Sequence, residues 1–275
     1  MSPRSLHGQG VSVGFVALTV LCVTFHADAA PLLVPGALGA AVPERARSRV
    51  RLGAVGLRAL QYFSWTGQRS WDDFLKSIRP ASVSADRKAR LLAMVRKEDV
   101  IEPSAERQAK LDALHPVLEY LERESVDVKI LRLGPAWAGF LGGAAVLVSE
   151  AAIDLLTAEE LQAAVAHELA HEYFSGEYEA ARARNQYDMV KEIELRCDAV
   201  SMITLRRLGL DPGSMLSAVS NVTKFNERRR FPNDPNLGPS IEERTKFSHA
   251  VVELILSEFD GAAAHPPDPP LSPRE

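Results

Sequence analysis

The sequence predicts an α+β fold that is mainly helical, with a small sheet beside a long helix that carries His167 and His171. Apolar residues recur every three or four positions through most of the chain after residue 45, which is typical of amphipathic helices. Two runs rich in β-branched residues, 126–133 and 144–149, predict two strands on either side of a Gly-rich corner. With 275 residues, of which 46% are hydrophobic, the chain is long enough to bury a sizeable core.

The predicted helices follow one another with clear start signals. Ser104 and Thr157 are placed as N-caps, and Glu160 completes a capping box with Thr157. Gly176 is expected to end the helix that Thr157 begins, and Gly209 to end the next one. The predicted helical segments are 45–66, 71–78, 85–97, 104–124, 157–176, 186–208, 214–227 and 241–258.

The N-terminus is typical of a secretory signal peptide, predicted over residues 1–29. An uncharged, mostly apolar run at 11–25 is short of the roughly 20 residues that a membrane span needs, and Ala27-Asp28-Ala29 fits cleavage before Ala30. The alternative is an uncleaved N-terminal anchor, which would be the chain's one contact with a membrane. Either way the protein is expected to be exported, to the periplasm or beyond.

Composition, and in particular the Pro- and Gly-rich segments, predicts the domain organisation. A Pro/Gly/Ala-rich linker at 30–44 precedes a helical region at 45–104, a main domain at 105–259 and a disordered Pro-rich tail at 260–275. The uncharged segment 133–149 approaches the length of a membrane span, but its four glycines and one proline argue against one. Loss of the signal peptide would leave Cys197 as the one cysteine, and its helical spacing predicts a buried position.

Net charge excludes one large class of partners. The chain carries a formal charge of −4 and lacks a dense block of lysine and arginine that could follow a phosphate backbone. We therefore expect no binding of nucleic acid.

The stretch "HELAH" predicts a metal site. His167 and His171 are four residues apart, so on a helix they share one face with a rise of about 6 Å, and both imidazoles can reach one ion. Glu168 points to the side of that face, where a carboxylate can act as a general base without binding the metal.

A third ligand is predicted on the next helix. Glu194 and Asp198 are also four residues apart and share a face. We expect Glu194 to bind the metal and Asp198 to accept the free ring N–H of a ligating histidine. Alone, the pair would be interpreted as a solvated face with ion pairs to Arg196 or Lys191. Beside the histidine pair, the metal site is the preferred interpretation because two carboxylates on a mostly apolar helix are costly unless they bind something.

These motifs, in this order, resemble the gluzincin metallopeptidases of the HtpX, CAAX prenyl protease and BepA type. The resemblance covers about residues 111–252 and includes the Gly-Gly corner before "HELAH", the E-x-x-x-D element in "ELRCDAVS", and "GPSIEERTKF" with Arg244 at the family's arginine position. It implies a zincin-like fold with one Zn²⁺ per chain, held by His167, His171 and Glu194. The implied activity is a zinc-dependent endopeptidase that cleaves exported or envelope proteins, with Glu168 as the base that deprotonates the zinc-activated water.

The resemblance also implies how a substrate would bind. An extended or unfolded polypeptide would pair with an edge strand near 144–148. Arg244 is the first candidate for stabilising the oxyanion. The other candidates are Tyr173, Tyr178, Tyr187 and His249. The chain departs from the family where Gly238 replaces the usual histidine and where Ala136 and Trp137 replace the asparagine-containing lead into the strand.

Two rival interpretations come from other classes of protein. One is a zinc-binding envelope adaptor without catalysis that uses the edge strand only to hold partners. The other is a helical exported domain in which "HELAH" is a coincidence. The presence of Glu168 favours the enzyme over the adaptor, and the capped helix with Glu194 and Asp198 makes coincidence a poor explanation.

Overall fold

A computed structural model describes residues 51–64, 71–231 and 236–263. The predicted signal peptide, linker and most of the Pro-rich tail lie outside these residues. The described chain is mainly helical with one small mixed sheet, which confirms the α+β prediction. None of the helices in these ranges is both long enough and apolar enough to span a bilayer.

The described ranges contain ten α-helices and four strands. The helices are α1 (Ala54–Ser64), α2 (Trp71–Ile78), α3 (Ala85–Leu92), α4 (Ala105–Asp112), α5 (His115–Tyr120), α6 (Glu150–Leu155), α7 (Ala158–Ala183), α8 (Tyr187–Arg207), α9 (Gly213–Arg228) and α10 (Ile241–Ala263). The strands are β1 (Val100–Ile101), β2 (Asp127–Leu131), β3 (Ala138–Leu141) and β4 (Ala145–Ser149).

The strand order corrects the prediction of an edge strand at 144–148. The order is β1-β2-β4-β3, so β4 lies inside the sheet, parallel to β2 and antiparallel to β3. All five residues of β4 are buried, as expected for an interior strand with a continuous apolar run. The edge strand on this side is β3, which sequence analysis missed because its four residues, Ala-Gly-Phe-Leu, show no polar–apolar alternation.

A tight turn joins β3 to β4. Gly142 and Gly143 both have positive φ, at 48° and 79°, and the Ala144 amide donates to the Leu141 carbonyl over 2.8 Å. A side chain at Gly143 would stand 2.7 Å from Val83, so this turn needs glycine for space as well as for its backbone angles.

The core packs helices against both faces of the sheet. Ile130, Phe140, Val146 and Val148 face α7 and pack against its apolar side chains, which include Leu161, Val165 and Leu169. The opposite face packs Leu131, Leu141 and Leu147 against Leu91 of α3. The small sheet is therefore fixed against the helix that carries His167 and His171.

Several predicted helix boundaries are wrong. In the described residues α1 begins at Ala54, α3 ends at Leu92 and α10 continues to Ala263, whereas helices were expected over 45–66, 85–97 and 241–258, and α6 was not predicted. Two further differences have a local reason. The segment 104–124 divides into α4 and α5 because Pro116 has no amide hydrogen and its ring excludes the carbonyl one turn earlier. Helix α7 passes through Gly176 and ends at Ala183, where Asn185 takes the left-handed conformation at φ 54°. Packing of α7 along α8 offsets the cost of about 1 kcal/mol that an interior glycine imposes.

The N-terminal helices share a core with the helices that carry the site. Phe63 and Trp71 of this region are buried with Phe174 of α7 and Ile203 of α8. The Arg196 guanidinium of α8 lies 4.1 Å from the Tyr62 ring centroid of α1. Helices α1 and α2 are therefore integral to the fold that supports the site.

The capping box at the start of α7 is present as predicted. Thr157 Oγ1 accepts from the Glu160 amide over 3.2 Å, and Glu160 Oε2 accepts from the Thr157 amide over 2.9 Å. Thr157→Ala should lower the free energy of unfolding by about 1 kcal/mol, measured by urea denaturation, because one amide at the helix start loses its acceptor. Thr157→Ser keeps the hydroxyl and should stay near the wild type; equal stability of all three proteins would contradict this role.

Candidate metal centre

The site lies between α7 and α8, which run antiparallel and bring their polar positions face to face. His167 and His171 are 7% and 1% exposed, and their ring centroids are 5.0 Å apart. Glu194 and Asp198 on α8 are buried opposite them, at 7% and 2%. The four-residue spacing on each helix places both pairs on the shared face, as sequence analysis predicted.

The distances among the side chains fit one small cation. Glu194 Oε2 lies 3.4 Å from His167 Nε2, and Glu194 Oε1 lies 3.6 Å from His171 Nε2. Ligand atoms about 2.0–2.2 Å from a tetrahedrally coordinated ion are about 3.3–3.6 Å from one another. Within the described ranges, His171 Nε2 is buried without a hydrogen-bond partner. A buried, unpartnered nitrogen at this spacing is the donor that a metal would take up.

Glu168 belongs to the same group. Ligand atoms of His167, Glu168 and His171 lie within 4.8 Å of one another, and this buried group could hold a metal ion. Glu168 is 8% exposed, and its Oε2 has no hydrogen-bond partner in the part of the chain that the structure describes. The geometry therefore offers two carboxylates, Glu168 and Glu194, for the third ligand position.

Asp198 and Arg244 contact His167 and Glu194 from behind. Asp198 Oδ1 lies 2.9 Å from His167 Nδ1, which is close enough for a hydrogen bond although the ring N–H is not aligned for one. Arg244 Nη1 donates to both oxygens of Asp198, and Nη2 lies 3.3 Å from Glu194 Oε2. The arginine thus binds the carboxylate that supports His167 and the carboxylate that faces both histidines.

Cys197 occupies a place in the site that the sequence did not predict. Its burial is confirmed, at 0% exposure, and its Sγ lies 3.6 Å from His171 Nδ1. Burial raises the pKa of the thiol, so the group is a neutral neighbour of the imidazole. His171 therefore has a weak partner at its second nitrogen, whereas His167 has a carboxylate.

The pKa values of the two histidines are shifted in opposite directions. Burial lowers the pKa of His167, but the contacts with Asp198 and Glu194 outweigh it and raise the pKa to about 10. Burial lowers the pKa of His171 to about 4, and its partners do not compensate. Without metal, His167 holds a proton between two carboxylates and His171 is already neutral.

The pKa values of Glu168 and Glu194 are also shifted in opposite directions. Burial raises the pKa of Glu168 to about 7. Burial would raise the pKa of Glu194 as well, but His171, His167 and Arg244 together hold it down at about 2. Glu194 is therefore a permanent anion at neutral pH, whereas Glu168 is poised to exchange a proton.

An open cleft of about 560 Å³ gives access to the site. It is lined by residues of α7, α8 and α9, by the segment Ala136–Ala138, and by a rim of residues between 237 and 244. Among the described residues, none from 51–101 lines it, so α1 to α3 are not a cover over this cleft.

The structure sorts the candidates for oxyanion stabilisation. Arg244 and Tyr178 line the cleft, and the Tyr178 ring packs on His171 with centroids 5.3 Å apart. Tyr187 and His249 are exposed side chains, and neither they nor Tyr173 line the cleft. Gly238 stands where the metallopeptidases that the sequence resembles have histidine, and it lies beside Arg244. A Cβ added at Gly238 would be 3.8 Å from Arg244 Nη2.

Comparison with known proteins does not assign the chain to a family. No family model matches the chain, and no curated protein matches it. The functional proposal therefore depends on the geometry of the site and on the motifs that form it.

Proposed function

We propose that the protein is a zinc-dependent endopeptidase of exported or envelope proteins, with a zincin-like fold. The observation that carries this proposal is the convergence of His167 Nε2, His171 Nε2 and the Glu194 carboxylate at 3.4–3.6 Å, beside Glu168 in an open cleft. Two imidazoles and one carboxylate with a position left open are the ligand set of a catalytic zinc site.

The ligand chemistry favours Zn²⁺ over Mg²⁺ or Ca²⁺. Both of those ions prefer sites built from oxygen ligands, whereas this site offers two buried imidazole nitrogens. Bound Zn²⁺ supplies a Lewis acid that polarises a carbonyl and lowers the pKa of a water toward 7. His167, His171 and Glu194 would hold one such ion.

Glu168 has the properties of the general base. Its pKa of about 7 lets it accept and release a proton near neutral pH, and no hydrogen bond within the described ranges occupies its Oε2. The carboxylate would accept the proton of the attacking water and then donate it to the amine that leaves when the peptide bond breaks.

Arg244 is better placed to position ligands than to stabilise an oxyanion. Its guanidinium is bound to Asp198 and lies close to Glu194, so these carboxylates already take up its charge. We therefore assign Arg244 and Asp198 to holding His167 and Glu194 in place. Tyr178, which also lines the cleft, becomes the better candidate for the oxyanion.

A cleavage assay tests the proposed function. Purified protein should contain one zinc per chain and cleave casein, should lose cleavage on treatment with a chelator, and should recover it when zinc is added back. Cleavage that the chelator does not affect would contradict a metallopeptidase. Stoichiometric zinc in a protein that binds casein without cleaving it would indicate the adaptor instead.

Zinc affinity should rise by at least about tenfold for each pH unit between about pH 7.5 and 9, because zinc must displace the proton of His167 and also lowers the pKa of a bound water. His167, with its pKa of about 10, is protonated throughout this range in the metal-free protein, whereas His171 and Glu194 have already lost their protons. Competition against a chelator of known protonation measures the slope. Asp198→Asn should flatten it, and an affinity independent of pH in the wild type would rule out this linkage.

A further inference from the structure

We propose that Asn226 limits the backbone pairing of a bound polypeptide to Ala138, because its side chain closes one end of the free edge of β3. This inference rests on the proposed function, since it concerns how a peptide substrate meets the cleft. It makes Asn226 a positioning residue.

Pairing with β4 determines which backbone groups of β3 point outward. The Ser149 amide donates to the Trp137 carbonyl over 2.8 Å, and Gly139 pairs with Leu147. In an antiparallel pair, residues that bond to the neighbour alternate with residues whose N–H and C=O point away. Trp137 and Gly139 therefore point to β4, whereas Ala136 and Ala138 present their backbone groups to the outer edge.

The Asn226 side chain occupies the outward groups of Ala136. Its Oδ1 accepts from the Ala136 amide over 2.9 Å, and its Nδ2 donates to the Ala136 carbonyl over 2.9 Å. These are the two hydrogen bonds that a residue of a neighbouring strand would make. Asn226 is 5% exposed, so α9 holds this amide in the position of a strand partner.

Burial closes the other end of the edge. Gly139, Phe140 and Leu141 are buried, and of the segment 136–141 only Ala136, Trp137 and Ala138 line the cleft. Ala138 is half-buried. Within the described residues, no hydrogen bond to its outward N–H or C=O is found. The metal-site residues line the same cleft, so a chain paired at Ala138 runs past them.

A single pairing position has a consequence for substrate binding. On a fully open edge, an extended peptide would pair every second residue, at Ala136, Ala138 and Phe140. The Asn226 amide closes the first of these positions and burial closes the third, so a bound peptide makes its backbone hydrogen bonds at Ala138.

Backbone N-methylation of a cleaved peptide tests this limit on pairing. The probe is a set of synthetic peptides with the sequence of a casein segment that the wild type cleaves, each with one N-methylated residue. In the wild type, one methylated position on the paired side should lower kcat/KM, by about five- to tenfold, because the peptide N–H to the Ala138 carbonyl is lost. In Asn226→Ala, a second sensitive position should appear two residues away, where a peptide N–H reaches the freed Ala136 carbonyl.

Matched variants separate the loss of the Asn226 amide from general loosening of α9. Asn221→Ala removes another amide of α9, which donates to Glu160 Oε1 over 2.8 Å, so its profile should match the wild type. Asn226→Ser also removes the amide, leaves a small hydroxyl in its place, and gives the result if the alanine variant does not fold. Wild-type profiles in both Asn226 variants, or the same second position in Asn221→Ala, would overturn the inference. Absence of any wild-type cleavage would instead overturn the proposed function.

Discussion

Glu168→Gln should abolish peptide hydrolysis, by about a thousandfold or more in kcat, while one zinc per chain stays bound. Glutamine keeps the size of the side chain but cannot accept a proton near neutral pH, so the water loses its base. The pKa of about 7 at Glu168 is the property that the substitution removes. Casein cleavage and metal content, measured on the same preparation, check the two halves of this expectation.

The same variant decides between the two carboxylates that could be the third ligand. Glu227→Gln is the matched control because Glu227 lines the cleft as an exposed glutamate, and it should retain both activity and zinc. If Glu168→Gln lost its zinc, Glu168 would be the ligand in the His167-Glu168-His171 group. If it cleaved casein at the wild-type rate, Glu168 would have no catalytic role.

Glu194→Ala should lose zinc and, with it, all activity above the chelator-treated background. The substitution removes the carboxylate that lies 3.4 Å and 3.6 Å from the two imidazoles, and two histidines alone do not complete a zinc site. Zinc should raise the melting temperature of the wild type, because it binds only the folded state, and should not raise that of the variant. Metal analysis and a thermal melt with and without zinc measure both effects.

Glu192→Ala is the control for general damage to α8. Glu192 is two residues away, is 2% exposed and pairs with Arg58 and Arg196, so its loss should destabilise the protein by a few kcal/mol. It should keep the zinc-dependent rise in melting temperature. If Glu194→Ala and Glu192→Ala behaved alike, with zinc still bound to both, Glu194 would be a structural residue and not a ligand.

The parts of the site that could be predicted from the sequence are those set by helical spacing. His167 with His171, and Glu194 with Asp198, are each four apart on continuous helices, and the structure brings all four together. A fixed rise and rotation per residue make such faces predictable without knowledge of the rest of the fold. The capping box at Thr157 was predictable for the same reason, since it depends on four consecutive residues.

The sheet could be predicted only in part because strand order is decided by distant pairing. Local composition identified β2 and β4 but could not show that β3 would pair on the outer side of β4. The hydrophobicity of 144–149 was itself a signal for an interior strand, since edge strands more often carry polar residues. Gly176 was misleading because the packing of α7 against α8 outweighs a local preference.

Residues that reach the site from helices other than α7 and α8 could not be predicted from a local sequence pattern. Asn226 is one amide on an amphipathic helix, and its partner Ala136 is 90 positions away. Arg244 was noticed through the family resemblance, but its engagement by Asp198 and Glu194 depends on where α10 begins relative to α8. Such contacts follow from tertiary packing, and no local spacing indicates them.

Helix α9 is held to two parts of the fold, and this has a mechanical consequence for the cleft. In its first half and at its middle, Ser217 and Asn221 donate to Glu160 of α7, and near its end Asn226 holds the segment before β3. Glu160 is two turns from His167 on the same helix, so α9 and the proposed metal ligands of α7 should move as one body. Widening of the cleft for a bulky chain should therefore come from the rim at 237–240, and crosslinking that rim to α9 should select for thinner substrates.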